Sequence, residues 1–178
     1  YRKEYPLQGS NNGLKIPLIL KNACMKSISL SLLFFASTVS GLAQSIKFEK
    51  PVEYNDFIIK QQTRVAEAIK GFYTAFSETN DSLKTQEARK KIVLQADSAV
   101  ATLKRLLPFG GDTAFKQSAI RLYAFYGSTA RIEYDKVIRL AFDPSKKIET
   151  IRQEIGVIVK DITEREKILD AAFQAAQG

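Results

Sequence analysis

A single carboxylate, Glu133, stands on an otherwise apolar helical row made of Phe115, Ala119, Leu122, Tyr126, Val137 and Leu140. A carboxyl group in apolar surroundings resists ionisation, so its pKa rises and it suits general-base work near neutral pH. Arg89 occupies a comparable position on the row Ile92, Ala96, Ala99, Leu103 and Leu106. Folding the two segments back near Gly110 brings Arg89 to about 3 Å from Glu133 along the axis, at about 1.5 Å per residue. The two read as a structural ion pair, which lowers the carboxyl pKa and removes the base. Left unpaired, Glu133 is the candidate catalytic residue of a hydrolase or lyase working in a tyrosine-lined cleft.

Other candidates are polar or small residues on inward faces. Asn55 and Gln62 extend the row Val65, Ile69, Phe72 and Phe76 backward and place amides toward the interior. Tyr123 and Tyr126 carry hydroxyls that need partners when buried. Gly127 and Gly156 fall at similar heights when the chain folds back at Asp143. They mark either a close helix–helix approach or a groove beside the tyrosines. Asn55, Gln62, Tyr123, Tyr126, Gly127 and Gly156 are therefore the candidate binding residues.

What is missing narrows the chemistry further. Residues 44–178 contain no His, Cys, Met or Trp. That composition excludes His- or Cys-based triads, zinc and copper sites built on those ligands, and the Glu-x-x-His di-iron pattern. Only hard-cation binding by carboxylates remains, and no EF-hand spacing occurs. The expectation is no metal and no cofactor.

The elements that must position these residues are helices. Apolar residues recur with a period near 3.6 over about Val52–Ser77, Leu83–Leu107, Ala114–Phe142 and Ser145–Ala176. Breaks fall at Thr79-Asn80-Asp81-Ser82, at Pro108-Phe109-Gly110-Gly111 and at Asp143-Pro144. Asp81 or Ser82, Asp112 or Thr113, and Asp143 are the expected caps. Four long helices with short connections predict an all-α, antiparallel up-down four-helix bundle.

The chain upstream of this domain reads as processing sequence. Residues 25–43 have a basic start at Lys26, an apolar run over Ile28–Val39 and small residues at Gly41 and Ala43. That is the build of a signal peptide cleaved before Gln44. The apolar run falls short of the roughly 20 residues of a membrane anchor. Cys24 precedes the run, which argues against a lipid anchor. Residues 1–24 show no sustained period and read as leader or a mis-assigned start. The mature domain is then 44–178, periplasmic, secreted or at the cell surface, with no stable membrane anchor after processing.

Charge gives little direction. The whole chain carries +8, but 22 basic against 18 acidic residues remain after residue 43. Tyrosines and phenylalanines beside basic residues can stack bases. Here they fit the apolar rows, and export removes the usual nucleic-acid partners, so none is expected.

Two stretches carry a resemblance. PVEYNDFIIKQQ (51–62) and PFGGDTAFKQSAIRLYAFYGSTARIEYDKVIRL (108–140) resemble a family of uncharacterised secreted all-helical bacterial surface proteins of unknown function. The resemblance implies a signal peptide and a helical bundle, and it transfers no catalytic residue. The expected function is a non-enzymatic module that binds a protein, an envelope component or an amphipathic ligand, with the Glu133 hydrolase or lyase as the alternative.

Overall fold

The computed structural model describes residues 45–177, and this region is all-α. The expected signal peptide, 25–43, and the segment 1–24 before it lie outside the described residues. The helices are α1 (Pro51–Glu78), α2 (Ser82–Arg105), α3 (Ala114–Arg131), α4 (Glu133–Ala141) and α5 (Ile148–Gln177). Among the described residues no helix is long and apolar enough to cross a membrane.

The breaks act as their residue types require. Pro51 opens α1 at a position where its missing N–H costs no intrahelical bond. Asp81 caps α2 by accepting from the N–H groups of Leu83 and Lys84 at 2.9 and 3.1 Å. After α2, Gly110 and Gly111 both take positive φ, and the N–H of Asp112 bonds the Phe109 carbonyl at 3.0 Å. That is the backbone of a tight turn open to few residues other than glycine. Asp112 accepts from the Ala114 N–H at 2.8 Å, so it supplies the first side-chain bond of α3.

Two expected boundaries move. The helix predicted over 114–142 is two, α3 and α4, interrupted at Ile132. The interruption lies one turn past Gly127-Ser128, a residue pair at which helices tend to bend. The last helix starts at Ile148, later than the predicted Ser145. The Asp143 carboxylate accepts from both the N–H and the hydroxyl of Ser145, at 2.9 and 2.6 Å, and holds that stretch as a turn.

The core forms where the apolar faces meet. α2 packs between α1 and α3, and α5 packs on α3 and α4. Ile58, Val65, Ile92, Ala96, Leu103, Ala119, Leu122, Tyr123 and Phe173 are fully buried in one cluster. A smaller cluster, Val137, Leu140, Ile151 and Ile155, joins α4 to α5 beneath Phe76.

A strap precedes α1. The Ile46 N–H bonds the Arg105 carbonyl at 3.0 Å, and the Ile46 carbonyl accepts from Leu107 at 2.8 Å. This satisfies backbone groups at the end of α2 that the helix leaves open. Ile46 and Phe48 pack on the main cluster, with Phe48 against the rings of Tyr54 and Phe57 at 6.4 and 5.2 Å.

The glycines divide by surroundings. A Cβ on Gly127 would stand 3.2 Å from the Ala96 Cβ and 3.3 Å from the Arg131 guanidinium, so this glycine lets α3 approach α2. Gly156 is exposed, and a Cβ there would meet nothing within 4 Å. The expected pairing of Gly127 with Gly156 is therefore corrected: the close approach is to α2, and Gly156 lines nothing. Gly156→Ala, and Gly71→Ala at an equally open position, should each stabilise by up to about 1 kcal/mol. Gly127→Val should cost about 1–3 kcal/mol by overpacking. Urea unfolding midpoints check all three, and a destabilised Gly156→Ala would contradict the open surroundings of that glycine.

Candidate functional site

The charged candidates lie where α4 passes between α2 and α5. Arg89 on α2 bonds Gln86 Oε1 through Nε at 2.7 Å and the Ala130 carbonyl through Nη1 at 3.0 Å. Its Nη2 lies 3.5 Å from Asp135 Oδ1. Gln86 also donates to Asp135 at 3.0 Å, and Arg139 bonds the other oxygen of that carboxylate. The Arg139 hydrogen bond, followed by the one from Gln86, holds the Asp135 carboxyl below the usual carboxylate range.

Glu133 faces another way. Its Oε1 accepts from Arg165 Nη2 on α5 at 2.5 Å. Arg165 also lies 3.0 Å from Asp161, and its guanidinium sits over the Phe125 ring at 5.3 Å. The expected Arg89–Glu133 pair is thus corrected to two pairs, Arg89–Asp135 and Arg165–Glu133. The axial reckoning holds, since Arg89 does reach residues 130–135. The rotation fails. Residues 133 and 135 are two apart on one helix, about 200° around its axis, so they address opposite neighbours. The interruption at Ile132 also breaks the row on which Glu133 was placed.

The pairing decides the chemistry of Glu133. Its Oε1 is engaged by the Arg165 guanidinium, while Oε2 is buried without a hydrogen-bond partner among the described residues. The carboxyl that burial does push up is Glu166 on α5. Desolvation is the main cause; Asp170 adds to it, and the hydrogen bond from the Tyr126 hydroxyl at 2.9 Å opposes it. The sequence does not single out Glu166 from the other charges of α5. The signal that finds it is its place one turn from Ile162, on the helix face that also carries Phe173.

The sign of the Glu166 effect follows from its direction. A carboxyl whose folded pKa exceeds its unfolded value favours the fold below the unfolded value and loses that contribution as pH rises through the folded one. Glu166→Gln should keep an acceptor for Tyr126 and remove the half-buried charge. It should raise Tm at neutral pH, and the difference from wild type should vanish below about pH 4. Thermal melts across that range check it; a lower Tm at neutral pH would show that the ionised carboxylate is needed.

The remaining candidates are mostly structural. Tyr123 is fully buried, and its hydroxyl donates to the Ile58 carbonyl at 3.0 Å. Burial holds its ionisation far above the usual tyrosine range. No ligand reaches it, so its assignment as a binding residue is corrected. Tyr126 is half-buried and engaged with Glu166. The inward amide on α1 is Gln61, 4% exposed, in place of the expected Gln62, which is only half-buried. The observed row runs Tyr54, Ile58, Gln61, Val65, so its backward extension turns one residue earlier.

Asn55 lines a concavity. One end of the bundle carries an open depression of about 360 Å³. Val52, Tyr54, Phe109 and Phe115 form its apolar lining, and Asn55 and Asp112 its polar rim. Asn55 accepts from the Gln177 side chain at 3.0 Å, which ties the start of α1 to the end of α5. The lining joins the first turn of α1, the Gly110-Gly111 turn and the last turn of α5, three places far apart in sequence. Among the described residues no cluster of three or more His, Cys, Asp or Glu side chains has the geometry to hold a metal.

Comparison with protein-family models, with curated proteins and with solved structures returns no match. The residues themselves carry the functional reading.

Proposed function

We propose that residues 44–178 are the mature part of an exported protein, of the secreted surface-protein kind that its sequence resembles. On this reading the helices form an antiparallel up-down four-helix bundle, with α3 and α4 acting as one bent helix. It is a non-enzymatic binding module of the periplasm or cell surface. The observation that carries the reading is the depression at the end of the bundle, where exposed Val52 stands beside three aromatic rings under a polar rim. A surface of that kind suits the apolar part of an envelope component or amphipathic ligand, with Asn55 and Asp112 orienting its polar part. The strap adds support, because Ile46 is pinned only two residues beyond the proposed cleavage point. The catalytic alternative loses ground to the Arg165–Glu133 bond, which occupies one oxygen of the proposed base.

The test compares capture from envelope extract by the wild-type protein and by a Val52→Glu/Asn55→Arg variant. A component retained by the first and lost by the second supports the reading. Equal capture by both, or none by either, overturns it. A hydrolase screen of Glu133→Gln gives the independent check: activity that disappears in that variant would restore the enzyme.

A further inference from the structure

We infer that the depression at the end of the bundle takes an organic ammonium group, set against the rings of Tyr54, Phe109 and Phe115 and the Asp112 carboxylate. The inference rests on the binding reading proposed above and names the polar part of the ligand.

The lining decides the sign of the charge. Among the described residues Asp112 is the only charged side chain in it, although the whole chain carries +8. The neighbouring lysines are turned elsewhere: Lys50 pairs with Glu53 at 3.5 Å, and Lys116 donates to the Leu106 carbonyl. Two helix N-termini meet here, and their dipoles would favour an anion. Both are already answered. Asp112 takes the Ala114 N–H, while α1 opens on Pro51, which has no N–H, and carries Glu53 in its first turn. The last turn of α5, whose final carbonyls lack intrahelical partners, borders the same depression and favours a cation.

The rings fit that sign. Aromatic faces attract a cation within about 6 Å of their centroids. The Tyr54 and Phe109 rings stand 5.8 Å apart, inclined at 44°, and Phe115 is braced by Phe173 at 5.2 Å. The Tyr54 hydroxyl is buried and makes no hydrogen bond of ordinary geometry among the described residues, so its oxygen keeps unused lone pairs beside the site. Burial, and after it the Asp112 charge, push its ionisation above the usual tyrosine range, against the pull of the Phe109 backbone. The rim carboxylate is thus felt at that hydroxyl. An anion would meet Asp112 with no cation to offset it. A wholly apolar ligand would cover that carboxylate unpaired. An alkylammonium answers both, since its carbons pack on the rings while its charge faces Asp112.

The experiment titrates the purified full chain, by calorimetry and NMR, with choline and with its uncharged isostere, in which carbon replaces nitrogen. Choline should bind at one site, about tenfold tighter than the isostere, and shift the signals of Tyr54, Phe109 and Asp112. Asp112→Asn keeps an acceptor for the Ala114 N–H. It should weaken choline about tenfold and leave the isostere unchanged. Phe109→Leu keeps apolar bulk, removes a ring face and should act in the same direction. Equal binding of choline and the isostere overturns the ammonium and leaves the apolar site of the proposed function intact. Binding of neither probe, or shifts remote from Tyr54, also overturns it; capture from envelope extract then judges the binding reading separately. Dodecyltrimethylammonium, kept below its micelle threshold, separates the sources of the group. Tighter binding than choline assigns the ammonium to an amphipathic ligand, and equal binding assigns it to a small free one.

Discussion

Phe173→Ala should remove about 3–5 kcal/mol of stability, the loss typical of a phenylalanine deleted from a core. Against total stabilities of about 5–15 kcal/mol, that is a large fraction. Phe173 lies near the end of α5, where helices usually fray, yet it is fully buried. Its ring stands 5.2 Å from Phe115 and 6.4 Å from Tyr123. Tyr123 is itself fixed by its bond to the Ile58 carbonyl, so the hole left by alanine has a wall that cannot move in to fill it. The damage should extend to the Asn55–Gln177 bond one turn further on. Urea unfolding of Phe173→Ala beside Gln174→Ala, an exposed neighbour, checks this. A loss below about 1 kcal/mol for Phe173→Ala would show that the last turns of α5 are not docked.

Arg89→Met should cost about 2–4 kcal/mol, because it strands the Ala130 carbonyl and takes one partner from Gln86 and from Asp135. The side chains of Arg89 and Asp135 are 14% and 15% exposed, so water replaces little of what is lost. Two double-mutant cycles separate the observed pairs from the one the sequence suggested. Arg89→Met with Asp135→Asn should lose less than the sum of the singles, with a coupling of about 1 kcal/mol or more. Arg89→Met with Glu133→Gln should be additive within about 0.5 kcal/mol, since the two share no partner. Glu133 couples with Arg165 instead, and weakly, because Arg165 is 42% exposed and solvent screens the pair. The Asp135 pKa is lowered in the fold, so its contribution is present above the unfolded value and lost as pH falls through the folded one. The Arg89–Asp135 coupling should accordingly fade below about pH 4. Coupling between Arg89 and Glu133 in place of Asp135 would reverse the assignment.

The helices were legible because their signals are local. The period of Val65, Ile69 and Phe72, the cap at Asp81, Pro51 at a first turn and the glycines at 110 and 111 each act through neighbours a few residues away. The missing His, Cys, Met and Trp side chains after residue 43 limited the chemistry by composition alone. What the sequence left open depends on rotation about helix axes and on partners remote along the chain. Moving one residue around a helix turns a side chain by about 100°, which exchanges Gln62 for Gln61 at the interior. Two residues separate Glu133, held by Arg165 on α5, from Asp135, held from α2. Gly127 and Gly156 look alike in sequence, and only Ala96 on the neighbouring helix makes the first a close-packing residue. Tertiary structure alone selected Glu166 as the half-buried carboxyl that desolvation pushes up, and assembled the depression beside Tyr54. Both depend on which faces meet, and the sum of many weak contacts across the core decides that.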